Sequence, residues 1–261
     1  MRTVVLFVCA LGCGARQPAT KELPIPAELR PALEHASTLG LALYDNQRVA
    51  ARATHALVKA GHLAGDQRVT GLVVRGHLAE FIGGENEVFY RVEVSAKGDL
   101  VTTVLDPPRS LDAEGAAIVR ARQQASIAAK QLRESNALCP RKYDAVALPA
   151  SLIGQEGWLV YLLASASPQE RVLAGHHRLR VSADGRQLLE VTPLSRSCQV
   201  VDAAGDESQV GIMITQLIAR VPFETHVLAS LTYRVVVLVI AEKHTWAVLG
   251  GSIELFDPDR P

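Results

Sequence analysis

The sequence predicts an α+β protein in which a large antiparallel β-sheet carries two long helices on one face. Apolar residues recur at helical spacing only near residues 33–60 and 113–134. Elsewhere they alternate, or run as short Val- and Leu-rich stretches between Gly, Pro and Asp turns, which is the pattern of strands. The helices stand apart and strands follow them in runs, which argues against the regular alternation of a parallel sheet.

The first residues lie outside that domain. Met1–Ala15 carries one positive charge at Arg2, an apolar run from Val4 to Leu11, and then small residues. That order is the grammar of an export signal, and Ala10-Leu11-Gly12-Cys13 resembles a lipobox whose Cys13 is lipidated after cleavage. Cleavage without lipid after Gly12 or Ala15 is the second reading, and a cytosolic chain with an apolar first strand the third. The run is too short to span a bilayer, which takes about 20 apolar residues. Membrane contact is therefore expected only through a lipid anchor. Residues 1–12 read as the signal and 13–32 as a tether, in which Pro18, Pro24, Pro26 and Pro31 forbid regular structure. Residues 33–261 read as the folded domain.

In the domain, Leu39, Leu43, Ala50, Ala53 and Leu57 mark the first helix, stopped by Gly61. Strands are predicted over Val69–Val74, Leu78–Ile82, Val88–Val94 and Leu100–Leu105, and Pro107-Pro108 closes that segment. Asp112 caps a second helix over Ala113–Glu134, with Ile118, Ala121, Ala125, Ala128 and Leu132 as its stripe. Further strands are predicted over Asp144–Leu148, Trp158–Ser165, Val172–Val181, Gln187–Leu194, Ile212–Ile218, Thr225–Leu231, Val235–Ala241, Trp246–Leu249 and Ile253–Phe256. The apolar run Val227–Ala241 reads as two buried strands joined at Tyr233-Arg234.

One internal echo stands out. Arg91-Val-Glu-Val-Ser-Ala-Lys-Gly98 is matched by Arg178-Leu-Arg-Val-Ser-Ala-Asp-Gly185, and the register holds as far as Arg109-Ser110 and Arg196-Ser197. The echo is either a duplicated helix-plus-hairpin unit, with halves 33–110 and 111–261, or two hairpins converging on one turn sequence. In both, Gly98 and Gly185 take the positive-φ position.

Composition limits the partners. The chain has 261 residues, 27 basic against 27 acidic side chains, 48% hydrophobic and 5% aromatic residues. A chain of this size buries roughly three-quarters of its unfolded surface. The charge balance offers no basic field for nucleic acid. If Cys9 leaves with the signal and Cys13 carries lipid, Cys139 and Cys198 are free to form a disulfide in an oxidising compartment. Two buried thiols are the alternative.

Chemistry-bearing motifs are sparse. Ser126-Ile-Ala-Ala-Lys130 matches the S-x-x-K pattern of serine acyl enzymes, in which Lys assists Ser attack. The companion motifs are missing, and Lys243-His244-Thr245-Trp246 puts Trp where a small residue is needed. On a helix the two residues are simply neighbours one turn apart. His176 and His177 fall on opposite faces of a strand, and Gly61 separates His55 from His62, so no metal site is expected. No G-x-S-x-G, Walker or dinucleotide pattern occurs, and no cofactor is implied.

Tyr143-Asp-Ala-Val-Ala-Leu-Pro149, Trp158-Leu-Val-Tyr-Leu-Leu163, Gly175-His-His-Arg178, Val181-Ser-Ala-Asp-Gly185, Leu194-Ser-Arg-Ser-Cys198 and Glu224-Thr-His-Val-Leu-Ala-Ser-Leu231 are similar, in wording and order, to blocks of a group of uncharacterised exported, lipoprotein-type proteobacterial proteins. The resemblance implies export and a structural role for Cys198, and brings no activity. Three function classes follow from the residues: a non-catalytic envelope lipoprotein that binds a protein partner, of inhibitor, immunity or scaffold type; a carrier of a small apolar ligand; and an envelope serine hydrolase using Ser126 and Lys130.

Overall fold

The computed structural model describes residues 24–61, 69–203 and 211–257. Cys13 and the signal-like segment lie outside them. Helix α1 spans Arg30–Lys59, preceded by a short 3-10 turn at Ala27–Leu29. Pro31 therefore belongs to the helix and not to the tether: it sits in the first turn, where its missing N–H has no helical partner to lose. Past the end of the helix Gly61 turns to positive φ, the stop its position predicts.

Strands β1 (Gly71–Arg75), β2 (Leu78–Gly83), β3 (Glu87–Val94) and β4 (Leu100–Ser110) form an antiparallel meander. Pro107-Pro108 does not end β4. The register passes from Tyr90↔Val104 to Val88↔Arg109, so the prolines sit in a bulge where no ladder donor is needed. Helix α2 then runs Ala113–Glu134, as its stripe predicts, and Asp112 Oδ1 accepts from the Gly115 amide at 2.7 Å.

A second sheet has the order β5 (Tyr143–Pro149), β6 (Trp158–Ala164), β8 (His177–Val181), β9 (Leu188–Pro193). The single strand expected over Val172–Val181 is two. Gly175, at φ +103°, turns the chain, so that β7 (Glu170–Ala174) leaves the sheet and pairs with β10 (Gln199–Asp202).

The third sheet, β11 (Gly211–Gln216), β12 (Val236–Ala241), β13 (His244–Leu249) and β14 (Ser252–Leu255), contains a parallel pair, β11 with β12. The connection is helix α3, Glu224–Tyr233, which replaces the strand predicted over Thr225–Leu231. His226 Nδ1 accepts from the Phe223 amide at 2.9 Å and satisfies one of the free donors at the helix start. Arg234, at φ +55°, ends it.

The α+β class holds, with the strands distributed over three four-stranded sheets and a two-stranded ribbon, and with three helices among the described residues. The middle sheet is covered on both faces. Trp158, Val160 and Leu162 of β6 pack toward α2, and Leu159, Tyr161 and Leu163 pack toward Leu39 and Leu43 of α1 and Leu228 of α3. Farther along α1, Val49, Ala53 and Leu57 close the first sheet's core, while Leu33 at its other end enters the third. Helices α1 and α3 touch at Gly40, where an added Cβ would lie 2.4 Å from Val227 Cβ.

The echoed sequences occupy equivalent places, the hairpin from third to fourth strand of the first two sheets. Gly98 and Gly185 take φ +90° and +74°. Each glycine amide donates to the serine carbonyl that opens the turn, Ser95 at 2.8 Å and Ser182 at 2.9 Å. An arginine of the helix preceding each sheet holds a turn carbonyl at 2.7 Å: Arg52 that of Gly98, Arg120 that of Asp184. The two turns differ by one residue, since Ser95 N reaches Asp99 O whereas Ser182 N reaches Gln187 O. In both, one helix precedes a four-stranded sheet, with β7 inserted between the second and third strands of the middle one.

Candidate functional site

The residues singled out in the sequence fall in separate places. Ser126 and Lys130 lie exposed on α2, and the Ser126 hydroxyl donates to the Arg122 carbonyl one turn back, at 3.1 Å. That bond is ordinary helix back-bonding. Cys139 and Cys198 form a disulfide with Cα atoms 5.8 Å apart, pinning the segment after α2 to the start of β10 beside Gly175. No group of three or more metal-ligating side chains occurs among the described residues.

Two polar clusters form around buried carboxylates. Glu80, 1% exposed on β2, meets Arg109 at 2.5 Å, Arg75, and Arg91 at 3.6 Å, and Arg75 goes on to Asp112 at 2.6 Å. The cluster ties the first sheet to the cap of α2. The second sits where the middle sheet meets α3. Glu224 Oε1 accepts from the Tyr161 hydroxyl at 2.9 Å and from Arg178 Nη1 at 2.8 Å. Burial, then the Glu224 carboxylate, push the Tyr161 phenol well above its usual value, so it remains a donor. His176 Nδ1, nearby, accepts from the Ala164 amide at 3.0 Å. Burial, with His177 beside it, pulls His176 down to about 4, and burial, with His176 beside it, pulls His226 to about 3. Both rings use Nδ1 as an acceptor from the backbone, which fixes the neutral tautomer with the proton on Nε2. A ring so held positions its neighbours and has no free lone pair with which to take a proton from a nucleophile.

The most unusual surface is the outer face of the third sheet. Its inner face, with Ile212, Ile214, Val237, Val239, Trp246 and Val248, is buried against α3. Strand alternation turns Met213, Val236, Leu238, Ile240, Ala247 and Leu249 the other way. Met213 pairs across to Leu238 and Leu238 to Ala247, giving an apolar row that ends at Glu254. Met213 is 59% and Leu249 64% exposed, and neighbouring Leu217 62%, which marks them as large side chains left to water. Half-buried Val236, Leu238 and Ile240 belong to none of the core clusters. At the rim, Arg220 pairs with Glu242 at 3.1 Å. An apolar centre with a charged edge is the anatomy of a protein interface.

No family model, curated protein or solved structure matches the chain. The described residues form cavities of about 230, 260, 350 and 550 Å³, each with polar groups in its lining.

The Glu224–Tyr161–Arg178 cluster is not legible in the sequence, because its members come from three elements and Glu224 opens a helix that reads as a strand. The apolar face does leave a signal. Val236–Ala241 is six apolar residues in a row, the pattern of a strand covered on both faces, yet the described residues bury only one.

Proposed function

We propose that this protein is a non-catalytic binding protein of the cell envelope that engages a protein partner through the outer face of β11–β14. The observation that carries the proposal is the contiguous apolar row Met213–Leu238–Ala247 with Val236, Ile240 and Leu249 around it, on a sheet already supported from behind. A rigid, preformed sheet loses little conformational freedom on binding. The near-neutral chain suits recognition through apolar contact more than through charge. The Cys139–Cys198 disulfide accords with an oxidising compartment, and a lipid on Cys13 would hold the domain at a membrane surface, with secretion as the alternative.

A photo-crosslinking residue at Leu238, in the native host, tests the interface. A discrete adduct is expected at Leu238 and not at Ser126, and Met213→Lys should abolish it while leaving the melting temperature within about 3 °C of wild type. Equal labelling at Leu238 and Ser126, or an adduct that survives Met213→Lys, would refute the interface.

A further inference from the structure

Among the described residues, strand β1 has a hydrogen-bonded neighbour on one side only, β2, and β5 likewise has only β6. Their free edges face one another across a gap, and α1 and α2 each pack against both strands. The direction of the free backbone groups follows from the ladders. On β5, Lys142 O accepts from Ser165 N, and Ala150 N donates to Gly157 O, so even-numbered residues bond to β6 and the odd ones, Ala145 and Ala147, point into the gap. On β1, Leu72 O accepts from the Arg122 side chain, so Leu72 and, two residues on, Val74 point into it as well. All four residues line one cavity of about 260 Å³, walled by Gln47 and Ala50 of α1 and Ile118 of α2. A second cavity of about 350 Å³ shares Leu72, Arg122 and Ala145 with the first.

The gap thus has the boundaries of a strand position that no described residue fills: a strand edge at each side and a helix over each face. Arg122 reaches in from α2 and occupies one acceptor, while Asp144 lines the same cavity as the nearby opposite charge. Two facing rows of main-chain donors and acceptors are matched by one ligand chemistry, the main chain of an extended peptide. We propose that the slot between β1 and β5 binds a short extended peptide with small side chains, which pairs with Leu72 and Val74 on one side and with Ala145 and Ala147 on the other. The small side chains follow from the walls, where Ala50 and Ile118 close on the cavity from either face. Arg122 would turn from the Leu72 carbonyl to a carbonyl of the incoming chain. This site is separate from the outer face of β11–β14 and does not depend on it.

Amide hydrogen exchange of the purified full chain with N-acetyl-tetraalanine-amide tests the proposal. Exchange at Leu72, Val74, Ala145 and Ala147 should slow by about tenfold or more when the peptide is added. A peptide alternating alanine with proline, which lacks half of the donors, should protect these amides less than about twofold. Ala50→Leu, which adds bulk to the α1 wall of the cavity, should remove the protection, and Leu238→Lys should leave it intact. No protection in the wild-type chain, protection confined to other amides, or equal effects of the two peptides would overturn the proposal.

Discussion

Gly175 shows how much one residue can be asked to do. Its φ of +103° is open to glycine and costly for other residues, and an added Cβ would lie 2.2 Å from Cys139 Sγ. The turn it makes separates β7 from β8 and packs against the disulfide that fastens the segment after α2 to the start of β10. Gly175→Ala should destabilise the protein by about 2–4 kcal/mol in a guanidinium titration, through backbone strain and steric clash together. Cys139→Ala should cost up to about 4 kcal/mol, the loop-entropy figure for a separation of 59 residues. The two losses should not add, because removing Sγ removes the clash. Full additivity would mean that the clash does not contribute. The cysteine pairing was open to sequence reasoning, since compartment and count suggest it. The need for glycine beside it was not, because the sulfur comes from a distant element.

Among the elements, α1 and α2 are legible because each buries one stripe and leaves the rest in water, which writes a period of 3.6 into the sequence. Helix α3 is different. Glu224 to Ser230 are buried in succession, so it has little polar face and no such period. Its start depends on His226, and the middle sheet depends on His176, whose ring holds the Ala164 amide. Both histidines are neutral when folded and titrate at about 3 and 4, against about 6.5 when exposed. Below 6.5 the unfolded chain binds more protons than the folded one, so stability falls as the pH drops from 6.5 toward 4. At most, each histidine contributes a loss of about 2 kcal/mol between pH 7 and pH 5. Glu170, held at about 2 by the Arg141 guanidinium, adds to this only below about 4.5. Urea titrations at pH 7 and pH 5 should show the loss, and His226→Asn should reduce it by about half while keeping an acceptor at the cap. An unchanged pH dependence in both His226→Asn and His176→Gln would rule out these two groups as its source.

At the scale of the whole molecule, the helix and four-stranded sheet of the first two units give way in the third to a βαβ crossing and an outer face that the described residues leave uncovered. The sequence conveys the α+β class and most strands, because pleat and turn chemistry are local. It does not convey the division into three sheets, since which edge meets which is settled by long-range packing, as at β1 and β5. Residues 1–23 carry the last expectation. If Cys13 is acylated, Cys13→Ala should move the protein from the membrane fraction to the soluble one, and an unchanged distribution would retire the anchor.

Helix α1 touches three of the four apolar clusters, and the core around Leu33 is completed by Trp246 and Val248. Helix α1, the earliest of the described helices to be made, therefore waits longest for all its partners. Its apolar stripe has no complete seat until β13 has been made, so a fragment ending before β13 cannot settle into this fold. A chain built this way stays open to handling by chaperones or a translocation machinery until its final strands arrive.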